Sequence, residues 1–172
     1  MRKLIYILTL AGCLLCVACQ RTKPQAPANR TGTADSAQLA MVFFYQRMAE
    51  EADRSLAQIV QTAGQPYTLH NTGFWYRITR RTEQPHLQKG QLVTLCMKVY
   101  TLQDTLLLDT QESIEVEKRQ TVKAVDSFLP EMRMDESAVL LVPWYCAYGQ
   151  TGTGEIPPYE NVKIKIEVKH NY

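Results

Sequence analysis

Histidine is scarce in this chain, with three among 172 residues. His70, His86 and His170 stand apart, without the short spacings that supply zinc ligands, so a zinc centre is not expected. Charge of one sign is lacking too. The 19 basic residues exceed the 17 acidic ones by two, and Arg2 and Lys3 at the N-terminus account for that excess. The remainder, with no net charge, has no electrostatic footprint for nucleic acid, and that class of partner is excluded. Of five cysteines, Cys13, Cys16 and Cys19 fall near the N-terminus. Cys96 and Cys146 remain, and two thiols make no disulfide framework. They either pair with each other or serve as small apolar core residues. The usual catalytic signatures are missing as well. There is no Gly-x-Ser-x-Gly elbow, and no cysteine–histidine pair has a supporting context. The glycines at 149, 152 and 154 lack the Gly-Lys-Ser/Thr ending of a phosphate loop and lead to a Pro-Pro pair rather than a helix. No apolar run reaches the roughly 20 residues of a membrane-spanning helix.

The N-terminus has the layout of a secretory signal. Arg2 and Lys3 precede an uncharged apolar run over residues 4–18. Val17-Ala18-Cys19 resembles the lipobox of bacterial lipoproteins. That resemblance implies loss of residues 1–18, lipidation of Cys19, and a place in the cell envelope, lipid-anchored to the outer membrane and facing the periplasm. Leu10-Ala11-Gly12-Cys13 is the closer literal match. Cutting there would leave Leu14, Leu15 and Val17 exposed on the mature chain, and Cys19 is preferred. Ordinary cleavage that leaves Cys19 a thiol stays open.

Residues 19–35 are polar, contain Pro24, Pro27 and Gly32, and carry no periodicity. They are expected to be a flexible tether of about 50 Å reach. An amphipathic helix is expected over residues 36–64. Leu39, Val42, Phe43, Ala49, Ala52, Leu56, Ile59, Val60 and Ala63 recur at helical spacing, Asp35 or Ser36 can cap the start, and Gly64 and Pro66 supply the stop. Its length of about 42 Å suits either packing on its own domain or an arm for a homodimer or a client. Strands follow. Residues 73–78 are aromatic-rich, residues 92–100 alternate, residues 137–142 are a short apolar run ended by Pro143, and residues 162–168 alternate without a break. Residues 122–129 suit one or two helical turns. The fold class is α+β: an antiparallel sheet wrapped on a short helix, preceded by a long N-terminal helix.

The order Pro143, Ala147-Tyr148-Gly149, a glycine-bearing loop, Ile156-Pro157-Pro158 and an alternating last strand resembles the closing third of FKBP-type peptidyl-prolyl cis-trans isomerase domains. Lys89-Gly90 before a strand and Asp109 at the end of the next segment resemble the opening third. The domain is placed at residues 72–172. The long helix before Thr72-Gly73-Phe74-Trp75-Tyr76 is similar to the FKBP-like lipoproteins associated with gliding motility.

The resemblance implies an isomerase that needs no cofactor and no metal. Its partners would be proline-containing segments of unfolded or exported proteins, with the membrane reached through the lipid. Carried over by position, Tyr148 would donate its hydroxyl to a substrate carbonyl and the Ile156 N–H would donate a second bond. Asp109 would sit at the rim, and Met97, Leu108, Val122, Val125 and Ile164 would line the pocket. The departures are specific. Val125 replaces the family's tryptophan, Met97 its tyrosine, Leu108 and Ile164 its phenylalanines, and Glu155 an isoleucine. Aromatic rings bury large, rigid areas, so the expected site is wider, with reduced activity. The alternative is a non-catalytic chaperone or assembly lipoprotein that keeps the same frame as a binding module.

Overall fold

The computed structural model describes residues 32–171. The secretory signal, Cys19 and most of the expected tether lie outside them. The described residues divide into two units, with the boundary between Val42 and Phe43.

Helix α1 spans Gly32–Thr62, against the expected 36–64. Residues 32–35 contain no proline, and a helix already nucleated extends into such residues at little cost. Its end is set as expected: Gly64 adopts φ +62°, the left-handed turn that closes many helices and that glycine enters without strain. In the first unit, Leu39, Met41 and Val42 are exposed. In the second, Ala52 and Leu56 are buried four residues apart while Phe43 and Phe44 are exposed. This stretch of α1 therefore carries a packed stripe and a bare one. Among the described residues no helix is long and apolar enough to cross a membrane.

Six antiparallel strands form one sheet: β1 Thr68–Leu69, β2 Trp75–Arg80, β3 Leu92–Thr101, β4 Leu106–Glu115, β5 Ser137–Val142 and β6 Val162–His170, in the order β1-β2-β5-β6-β3-β4. Helix α2, Lys123–Phe128, continues into a 3-10 turn at Leu129–Glu131. The inner face of the sheet is dry because alternate residues point the same way. Val93, Leu95, Met97 and Val99 of β3, Ala138, Leu140 and Val142 of β5, and Val162, Ile164, Ile166 and Val168 of β6 join Ala124, Val125 and Phe128 of α2 in one core. Phe128 meets Phe74 edge-on at 6.1 Å and Tyr76 at 4.6 Å.

Two strands were not expected. β1 is only two residues long. β4 begins Leu-Leu-Leu, which breaks the period-2 signature; as an edge strand it is apolar on neither face consistently, and its pairing with β3 is what makes it a strand. Both described cysteines are free thiols. Cys146 is buried as a small apolar residue, whereas Cys96 is half-buried on the sheet face away from the core.

Candidate functional site

β5 ends where Pro143 removes the next ladder N–H. The chain then makes a 3-10 turn over Trp144–Cys146 and delivers Ala147-Tyr148-Gly149. Three carbonyl contacts fix the turn: Cys146 N–H donates to Pro143 (2.9 Å), and Ala147 and Gly149 N–H donate to Trp144 (3.1 and 2.9 Å). The loop beyond folds on itself. Thr153 and Ile156 exchange backbone hydrogen bonds of 2.9 and 2.8 Å, and Tyr159 N–H returns to the Gly149 carbonyl at 3.0 Å. Gly152 lies at φ +65°, where a Cβ would collide with the Ile156 carbonyl oxygen and come within 2.7 Å of the Pro157 carbonyl carbon. Only glycine fits this crossing.

The same loop is tied to α1. The Tyr145 hydroxyl donates to Asp53 Oδ1 at 2.5 Å, Trp144 Nε1–H donates to the Met48 carbonyl at 3.5 Å, and Tyr45 stacks on Tyr159 at 6.5 Å. Burial and the Asp53 carboxylate together push the Tyr145 phenol well above its ordinary pKa. No local pattern signals these ties, which link residues about a hundred positions apart.

Tyr148 packs against the core, yet its hydroxyl oxygen is buried and has no hydrogen-bond partner among the described residues. Burial, with a smaller contribution from the negative charge of Glu112, pushes its pKa up to about 12. A buried phenol without an acceptor is uncommon, because stranding a polar group costs about 1–3 kcal/mol. An incoming carbonyl oxygen would relieve that cost.

Met97, Val125, Ile156 and Ile164 belong to the core around it, with Leu108 and Val122 packed half-buried against its edge. Ile164 and Leu108 flank Val99 from either side, and Met97 stands one inward position along β3. The structure thus brings together every apolar position carried over from the resemblance. It does not leave the floor open: Val125 and Ile164 are 0% exposed. Where the resemblance has rings, these aliphatic side chains are fully enclosed by their neighbours. Like Tyr148, Leu107, Leu108, Val122 and Ala147 pack half-buried against this core and keep some apolar surface accessible.

Two hydrogen-bonding expectations end differently. The Ile156 N–H is already committed to the Thr153 carbonyl. Asp109 does not join Tyr148. It lies opposite Lys98 in the β3–β4 register and ion-pairs with it at 2.8 Å, and directly opposed residues share a face. That face is the one turned away from Met97, and Asp109 is exposed on it. The carboxylate on the Tyr148 side is Glu112, opposite the buried Leu95. Its even offsets, four residues from Leu108 and two from Thr110, were the available clue, unreadable before β4 was known to be a strand.

This arrangement holds one phenol, aimed from a rigid loop, over apolar surface. It has no acid–base pair or nucleophile, and it can present a hydrogen bond in a dry setting. Residues 83–169 match the family model described as FKBP-type peptidyl-prolyl cis-trans isomerase. Among solved structures, the peptidyl-prolyl cis-trans isomerase of Pseudomonas syringae pv. tomato str. DC3000 is similar with a TM-score of 0.60 at 15% identity, covering 72% of this chain and 92% of that one. The structure of AtFKBP13 is similar with a TM-score of 0.56 at 18% identity, covering 60% and 96%. A search of curated proteins gave no match. At such identities the likeness to solved structures shows the fold.

Proposed function

The chain belongs to the FKBP-type peptidyl-prolyl cis-trans isomerase family, and on that premise we propose that it isomerises X-Pro bonds in exported proteins with reduced activity. The buried, unpartnered Tyr148 hydroxyl carries this reading. The barrier to rotation, about 18–20 kcal/mol, comes from amide resonance. A site that takes the carbonyl out of water and holds it by one hydrogen bond favours the twisted amide, in which resonance is lost. Tyr148 is the donor, its proton held still more firmly than in a free phenol because burial raises its pKa. Leu107, Leu108, Val122 and Ala147 receive the proline ring. Aliphatic walls grip that ring less firmly than aromatic ones, hence the reduced rate. The signal layout and the lipobox-like Val17-Ala18-Cys19 support a lipid-anchored lipoprotein of the cell envelope, and the long helix before Thr72-Gly73-Phe74-Trp75-Tyr76 supports a likeness to those associated with gliding motility.

A protease-coupled assay on proline peptides tests the reading. Catalysis above the uncatalysed rate, lost in Tyr148→Phe, is expected. A rate equal to the uncatalysed one, unchanged by that substitution, would sink the enzymatic claim.

The second reading, a non-catalytic chaperone, is favoured by the closed floor at Val125 and Ile164 and by the exposed Phe43 and Phe44. Suppression of client aggregation that survives Tyr148→Phe but is abolished by Phe43→Ser with Phe44→Ser would support it. Removing the whole helix is the poorer test, because Leu56 and Asp53 help hold the domain together.

A further inference from the structure

The face of the sheet away from the core is not a uniformly solvated surface. A cavity of about 430 Å³ lies on it, lined by Arg77 and Thr79 of β2, Ser137 and Val139 of β5, Lys165 and Glu167 of β6, and Cys96 and Lys98 of β3. The register lays these residues in rungs. Arg77 stands opposite Val139, Val139 opposite Lys165, Lys165 opposite Lys98, and Lys98 opposite Asp109. One rung therefore carries three cations, with Lys165 and Lys98 on adjacent strands only about 4.8 Å apart. Like charges facing each other in this way are destabilising.

The nearby carboxylates do not cancel the excess. Asp109 is held by Lys98. Glu167 is held by Arg80 at 2.6 Å and Lys169 at 3.2 Å. Among the described residues no carboxylate pairs with Arg77 or Lys165. Lys165 lies 4.7 Å from the centroid of Tyr100 and feels the Asp104 carboxylate only at longer range, since Asp104 is paired with Lys163; Arg77 lies 5.6 Å from the centroid of Tyr67. Arg77, a lining residue of the cavity, moreover has its Nε buried without an acceptor.

We propose that this cavity binds an acidic side chain of an extended polypeptide, its carboxylate bridging Arg77 and Lys165. A guanidinium offers a carboxylate two parallel N–H donors, the strongest arrangement for this ion pair. The two cations sit two strands apart, roughly 10 Å between backbones, and long side chains converge across Val139 to one oxygen pair. Volume favours a peptide over a bare ion. A water claims about 30 Å³ of liquid, so the cavity has room for a carboxylate with its aliphatic stem and a neighbouring side chain against Val139 and Cys96. This site is on the opposite sheet face from Tyr148 and stands whether or not the chain isomerises proline bonds.

The test uses the full-length chain and a fluorescein-labelled AELEA peptide, with its AQLQA counterpart, in fluorescence anisotropy, and amide shifts to locate the site. AELEA should bind at least tenfold more tightly than AQLQA, more weakly at 200 mM than at 50 mM salt, with shifts at residues 77, 139 and 165. Lys165→Gln and Arg77→Gln should each weaken it at least fivefold, and Tyr148→Phe should leave it unchanged. Lys165 is exposed, so that variant keeps the test alive if Arg77→Gln unfolds. The proposal is overturned by equal binding of the two peptides, by unchanged binding in a folded Lys165→Gln protein, by shifts centred on Tyr148, or by inorganic phosphate binding where AELEA does not.

Discussion

The two faces of the central sheet solve opposite problems. The inner face excludes water so thoroughly that Val125, Ile164 and Leu140 have no exposure, and among the described residues the one buried side-chain polar atom it strands is a phenol oxygen. The outer face keeps its charges near water, as pairs such as the exposed Lys98–Asp109 and the partly covered Lys163–Asp104. A polar group on the dry face acts through the absence of competitors: one hydroxyl without a partner is a strong donor to whatever arrives. Charges on the wet face are individually weak and act by number and register. The comparison teaches that the chemistry of this domain follows from which side of the sheet a residue faces, and one strand position changes that side.

The largest break in the comparison comes from the core. Phe128→Ala should cost about 3–5 kcal/mol, read as a fall in the denaturation midpoint, because Phe128 is buried among Phe74, Tyr76 and His70. Next comes the loop that aims Tyr148. Gly152→Ala should cost about 2–4 kcal/mol, by collision with backbone at a positive φ, and should reduce isomerase turnover even under conditions where the protein stays folded. Tyr148→Phe sharpens the contrast by separating the two quantities. Removing a stranded hydroxyl should leave stability unchanged or raise it by up to about 1 kcal/mol, while kcat/KM falls about tenfold or more.

The Tyr148 phenol also predicts a pH dependence. Its folded pKa, about 12, lies above the ordinary 10, so between those values the folded state holds the proton and the unfolded state has lost it. The stability it contributes is complete below pH 10, declines as pH rises from about 10 to 12, and is gone above. Denaturation midpoints across that window should fall less steeply in Tyr148→Phe. Glu112→Gln, by removing a negative charge, should lower the Tyr148 pKa in a phenolate absorbance titration.

The smallest effect belongs to the outer face. Asp109→Asn should cost under about 1 kcal/mol and change kcat/KM less than threefold. A tenfold loss would show that Asp109 reaches the proline site despite its register with Lys98.

Much of this was legible in the chain before folding. The alternation at residues 162–168 determined a one-sided strand, Pro143 determined where β5 stops, and Gly64 determined where α1 ends, because each depends on local backbone sterics or period. The Ala-Tyr-Gly to Ile-Pro-Pro spacing marked the loop that carries Tyr148. What the tertiary structure alone decided is long-range. The β3–β4 register put Asp109 outside and Glu112 inside, core packing closed the floor at Val125 and Ile164, and the loop crossing spent the Ile156 N–H on Thr153. Three cations from strands up to 88 positions apart, Arg77 to Lys165, share one rung for the same reason. Pairing register and packing density arise from contacts between distant segments, and no local period records them.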